Sequence, residues 1–245
     1  MTDFITADAQ VAALQAIMAQ FGASTDLLAG AGKQSDGDSP QTTEGPYYIH
    51  GHDALFRRDI ADGRPGIPLQ LSILVRDTGG VPLSGAVVDV WHCDALGYYS
   101  GHLAHNPDTL PQMDDDSSDF HVPPTDDSRF LRGLQHTDAD GTATFDTIYP
   151  GWYFTRSVHI HLKIHAGGRE IYTSQLYLPE EHNETVGQLP PYNQHTTLQR
   201  LPNADDLVYQ SAGGKDLLID LQPVDPDRPA TGFTGQFTAT VSPAR

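Results

Sequence analysis

The sequence is poor in cysteine and in positive charge, and it contains no long apolar run. Cys93 is the only cysteine in 245 residues. One thiol excludes an intramolecular disulfide and a cysteine-rich zinc or iron–sulfur site. Lysine and arginine number 14 against 32 acidic residues, for a net charge of -18. That balance argues against nucleic acid and anionic membrane as partners, because both need a basic patch. No stretch reaches the continuous apolar length that spans a bilayer. The first thirty residues carry acidic groups and no basic segment ahead of a greasy run, so they do not read as a signal peptide. The chain therefore reads as cytoplasmic, or as secreted if a leader has been removed. Also missing are a G-x-S-x-G elbow, a glycine-rich phosphate loop ending in lysine, and an H-E-x-x-H zinc motif, which argues against the corresponding hydrolases and nucleotide enzymes.

The periodicities that are present divide the chain. Val11, Leu14, Met18 and Phe21 recur at spacings of three and four, which predicts a helix over 5–21 with one apolar face, ended at Gly22. Residues 23–43 are rich in Gly, Ser, Asp and Thr and read as a linker or arm. From residue 67 the period changes to two. Leu69, Leu71, Ile73 and Val75 alternate, Asp77-Thr78-Gly79-Gly80 supplies a tight turn, and Ala86–Trp91 forms a second strand. Further strands are expected over 142–147, 158–164, 171–178, 217–221 and 237–241. Residues 101–128 read as a long loop whose acidic run, Asp114-Asp115-Asp116, is a solvated surface. Residues 179–206 read as irregular. Many short strands with long connections and one early helix predict an all-β sandwich. Residues 1–42 are expected to form the N-terminal helix and arm, and 43–245 the sandwich domain.

The chemistry-bearing residues lie between 98 and 175. His159 and His161 are two apart, so a strand puts both on one face, where they can reach one ion. Taken alone, the pair reads first as surface or hydrogen-bonded histidines, and it is also compatible with zinc, copper or iron. Tyr153 lies six residues before His159, beyond the turn signal Pro150-Gly151. Tyr98 and Tyr99 follow Gly97 just past a strand end. Tyrosinate is a hard oxygen donor that suits ferric iron better than zinc or cuprous ion. Arg156 could stabilise negative charge developing on a substrate, or form an ordinary salt bridge. Gln175, on its strand, reads as structural, with ligand orientation as the second role. Cys93 reads as a buried apolar filler.

In order along the chain, several pieces resemble the intradiol ring-cleavage dioxygenases, the family of catechol, hydroxyquinol and protocatechuate dioxygenases. They are Thr43-Glu44-Gly45-Pro46-Tyr47-Tyr48, then Pro82–Asp94 leading to Gly97-Tyr98-Tyr99-Ser100, Arg132-Gly133 with Thr137-Asp138 and Gly141, Pro150–His161, and Thr173-Ser174-Gln175. The resemblance runs from about Thr43 to Leu178 and is closest to the compact members. It implies Fe(III) held by Tyr99, Tyr153, His159 and His161. It implies catalytic roles for Arg156, Tyr153 and Gln175, and a substrate pocket bordered by Gly45, Pro46, Tyr47 and Asp94. The implied reaction opens a catechol with O2 to a cis,cis-muconate-type product. Two departures stand out. The stretch between Tyr153 and His159 is shorter than in the larger members, and only one short N-terminal helix is evident, so the expected state is monomer or homodimer. The competing readings are another metal-dependent β-fold enzyme and a non-catalytic β-sandwich binding module.

Overall fold

A computed structural model describes residues 4–21, 37–51, 55–110 and 121–242, with the backbone alone for 17–21. Most of the predicted linker, the Asp114–Asp116 run, and the Met18 and Phe21 side chains lie outside what is described. Helix α1 spans Ala7–Phe21. Among the described residues eight strands follow: β1 Pro68–Asp77, β2 Val87–Trp91, β3 Arg132–His136, β4 Thr142–Ile148, β5 His159–Ala166, β6 Arg169–Tyr177, β7 Asp220–Pro223 and β8 Phe233–Val241. They form two four-stranded sheets, in the orders β4-β1-β8-β7 and β3-β2-β5-β6. The chain is thus an all-β sandwich with a short N-terminal helix.

The core lies between the sheets and follows from alternation. On β1, Leu69, Leu71, Ile73 and Val75 are buried, with more exposed neighbours between them. From the second sheet Val88, Val90, Ile160, Leu162 and Ile164 enter the same apolar cluster. The period of two then assigns Trp91, His159, His161 and Lys163 to the other face. These residues are also buried, because the Thr43–Tyr48 segment and the connecting loops cover that face.

Three features depart from the sequence-based expectations. β3 has no apolar alternation, since Arg132 turns its buried guanidinium to Ser100, 2.9 Å from its Oγ, and Gly133 packs against Ile60. The expected strand at 217–221 is divided: a 3-10 turn ends at Leu217 and β7 begins at Asp220. The region 179–206 contains helix α2 at Glu180–Gly187, and α3 at Leu207–Ser211 follows it. Both are shorter than the window in which helical periodicity emerges.

Candidate metal centre and catalytic site

Strand register builds the floor of the site. Trp91 is paired with Arg132 on one side and with His161 on the other, and His161 is paired with Gln175. His159 faces Tyr177 one step along. Cross-strand neighbours on one face lie about 5 Å apart, so Arg132, Trp91, His161 and Gln175 form a continuous row. The Trp91 ring stacks on His161, with centroids 4.8 Å apart and planes at 8°.

The two tyrosines come from loops that cross backbone to backbone. A side chain at Gly97 would collide with the Trp152 carbonyl, and one at Gly151 would lie 2.6 Å from the carbonyl oxygens of Asp94 and Ala95. The amide of Gly151 also donates to the Asp94 carbonyl at 3.1 Å. These contacts bring Tyr99 and Tyr153 together, with rings 5.5 Å apart at 78°. Asp94 serves the turn: its Oδ1 accepts from the amides of Leu96 and Tyr98, both at 3.0 Å, and its Oδ2 pairs with Arg64. Its carboxylate therefore lies under the loop that carries Tyr99. Tyr153 and Arg156 are drawn to one side by a four-residue turn, with the Arg156 amide 3.0 Å from the Tyr153 carbonyl. Thr155 in that turn has φ +66°, a left-handed conformation that β-branched residues seldom adopt.

Four donor atoms converge. Tyr99 Oη is 2.9 Å from His161 Nε2, Tyr153 Oη is 3.2 Å from His159 Nε2, and the two Nε2 atoms are 3.1 Å apart. Ligands held at about 2.0–2.1 Å on one ion sit about 3 Å from one another. His159 Nδ1 is bonded to the Ser157 carbonyl at 2.7 Å, which gives Nε2 the free lone pair. His161 Nδ1 is buried with no hydrogen-bond partner among the described residues. Stacking on Trp91 and the close approach of Gly45 orient that ring instead. Burial, then Arg156, pushes His159 down to about 3. Burial, then His159, holds His161 well below the imidazole range. Both rings are thus kept neutral, as metal ligands must be. Burial, opposed by Arg156, raises Tyr153 to about 12. Burial, with Tyr153 beside it, raises Tyr99 well above the usual phenol range. Phenolate here requires a strong cation. The hard oxygens and neutral imidazoles fit a hard trivalent ion, and ferric iron among the common ones.

The remaining expected residues surround this cluster. Arg156 donates to Tyr153 Oη at 3.3 Å, to Tyr177 Oη at 3.1 Å and to Gln175 Oε1. Gln175 Nε2 reaches the Thr43 carbonyl at 2.8 Å, tying the arginine to the segment before Gly45. Tyr47 stacks on Tyr99 at 4.6 Å and meets Tyr153 edge-on at 6.0 Å. The Pro46 carbonyl accepts from Val122 at 2.9 Å. Cys93 is buried, and burial pushes its thiol up, so it is a packing residue. A separate group, Glu44, His50 and His121, has ligand atoms within 4.8 Å of one another and could also hold a metal. Glu44 there is already paired with Lys163 and His121. The sequence reading missed Asp206, whose carboxylate meets Arg156 Nε at 3.0 Å. Fifty residues separate them, and no spacing rule links the two.

A family model described as "Dioxygenase" matches residues 43–186. An intradiol ring-cleavage dioxygenase from Tetranychus urticae is 32% identical, covers 84% of this chain and 95% of its own, and superposes with a TM-score of 0.74. Catechol 1,2-dioxygenase 1 of Acinetobacter lwoffii is 36% identical over 48% of this chain and 33% of its own length. Chlorocatechol 1,2-dioxygenase of Rhodococcus opacus is 30% identical over 55% and 54%. The chain thus spans a third to about half of these curated relatives. It belongs to the intradiol ring-cleavage dioxygenase family.

Proposed function

We propose that this protein is a non-haem Fe(III) dioxygenase that opens uncharged catechols between their two hydroxylated carbons. The observation that carries the reading is the convergence of Tyr99, Tyr153, His159 and His161 on one buried point, with contacts of 2.9, 3.1 and 3.2 Å. Those four residues would hold the iron. When bound, ferric iron would withdraw electron density from the catecholate and so open its ring to O2.

The chain's own residues have separate tasks. Tyr153 Oη receives the Arg156 hydrogen bond and is placed to accept a proton from an incoming catechol hydroxyl. Arg156 stabilises negative charge that builds on the ring. Gln175 holds Arg156 against the Thr43 carbonyl. Tyr47 and Pro46 wall the site, and burial excludes bulk water.

Charge pairing favours neutral substrates. Arg156 is compensated by Asp206, and Lys163 by Glu44 and Glu170. Arg132 is turned to Ser100. A ring carboxylate would meet no uncommitted cation among these three. The test is O2 uptake by the iron-loaded protein with catechol, alkylcatechols, hydroxyquinol and protocatechuate, with products identified by mass. A reddish protein, muconate-type products and a kcat/KM lower for protocatechuate are expected. A colourless iron-loaded protein, or products of cleavage outside the diol, would overturn the reading.

A further inference from the structure

We propose that Asp206 is the positioning residue of this site: one buried carboxylate that fixes Arg156 and His159 at once. The proposal rests on the dioxygenase reading above. Asp206 has no solvent exposure. Its Oδ2 accepts from Arg156 Nε at 3.0 Å, from the Ser157 amide at 2.9 Å and from Ser157 Oγ at 3.2 Å. Its Oδ1 accepts from the amides of Val208 and Tyr209, at 2.8 and 3.2 Å, and so caps α3.

Two lines of control leave that carboxylate. Through Nε it locks one edge of the Arg156 guanidinium, which turns the Nη edge toward Tyr153, Gln175 and Tyr177. A guanidinium has five donors in a rigid fork, so fixing Nε fixes the direction of the others. Through Ser157 it holds the peptide whose carbonyl takes His159 Nδ1 at 2.7 Å. Partners of this kind behind a ligand imidazole set its tautomer and ring orientation. The pair Arg156–Asp206 is also neutral as a unit. It offers a directed hydrogen bond at Tyr153 without a net positive charge beside the metal ligands.

Asparagine at 206 separates these effects from the helix cap. Asn caps helices about as well as Asp, but it presents an NH2 where Arg156 and Ser157 need an acceptor, or else gives up the cap. Asp206→Asn should therefore keep iron per chain within about twofold of the parent and lower turnover of catechol per iron by about tenfold or more. In an Arg156→Ala background the same substitution should lower turnover by a smaller factor than in the parent, because only the route through Ser157 to His159 then remains. The anaerobic affinity for 4-nitrocatechol should follow the same pattern. Equal losses in both backgrounds, or no loss in either, would overturn the proposal.

A readout independent of turnover is the ring-nitrogen NMR signal of His159 in the metal-free chain, which Asp206→Asn should shift. If the parent takes up iron but opens no catechol, the functional reading fails while this signal still tests Asp206. An unmoved His159 signal with full activity sinks the positioning role. Should Asp206→Asn lose its fold by circular dichroism, Arg156→Lys replaces it. That variant keeps the charge but lacks the fork, so full iron with reduced turnover is expected, and parental turnover overturns the proposal.

Discussion

Replacing Gly45 with alanine is the sharpest single perturbation of the site. Gly45 has φ +80°, and a Cβ there would sit 3.0 Å from His161 Cε1. Two effects combine. The left-handed backbone costs a non-glycine residue about 1–2 kcal/mol. The new methyl then presses on the Cε1 edge of an imidazole whose face is stacked on Trp91 at 4.8 Å, so the ring can yield only by shifting or tilting. A tilt of a few tenths of an ångström separates donor atoms that now stand about 3 Å apart. Disturbing the surroundings of a metal ligand typically costs about 10–100-fold in affinity. Gly80 provides the control, since its φ is +84° and nothing among the described residues lies within 4 Å of its Cβ position. Gly80→Ala should lose about 1–2 kcal/mol in urea unfolding, and Gly45→Ala at least as much, because both bear the same backbone cost. Only Gly45→Ala should weaken iron binding, measured by chelator competition. If both variants bind iron like the parent, the close approach of Gly45 to His161 does not orient that ring.

Other outcomes are as specific. His161→Ala should sharply lower iron content, read by metal analysis, and full iron with full activity would remove it from the ligand set. Arg156→Gln should lower turnover more than iron content, while lost iron would assign the arginine to metal retention. Burial pushes His92 down to about 4, so its neutral form is the folded one. Its contribution is therefore present above the ordinary imidazole value near 6.5 and is lost as pH falls toward 4. The decline from this residue is at most about 3 kcal/mol. Thermal melts between pH 7 and 4 should show it, and a flat profile over that range would refute the assignment.

The legible part of the molecule was what lies close in sequence or alternates. His159 and His161 share a face because a strand has period two, and β1 declared itself through Leu69, Leu71, Ile73 and Val75. The ordered motifs added Tyr99 over Tyr98, a choice that spacing from His159 could not make. What stayed hidden depends on distant pairing. Asp206 reaches Arg156 across fifty residues, and its local sequence announces only a modest helix cap. β3 was unreadable because its buried side chains include an arginine satisfied by Ser100. The resemblance implies that Asp94 borders the substrate pocket, yet its carboxylate is used by the turn beneath Tyr99. A sequence gives the residue but not the direction in which it points.

The pairing of β1 with β8 also bears on how the chain is made. These strands run parallel, with Leu69 opposite Phe233 and Asp77 opposite Val241. During synthesis, every residue of the four-ligand cluster leaves the ribosome before β8 exists. Until then the first sheet lacks its central partner strand, because β8 separates β1 from β7. The cover over the inner face of the ligand-bearing sheet is therefore incomplete until β8 adds Phe233, Phe237, Ala239 and Val241 to the shared core. Such late, long-range closure slows folding and leaves apolar surface open to aggregation. A stop codon just before Phe233 would spare every proposed ligand and still remove the strand that joins β1 to β7.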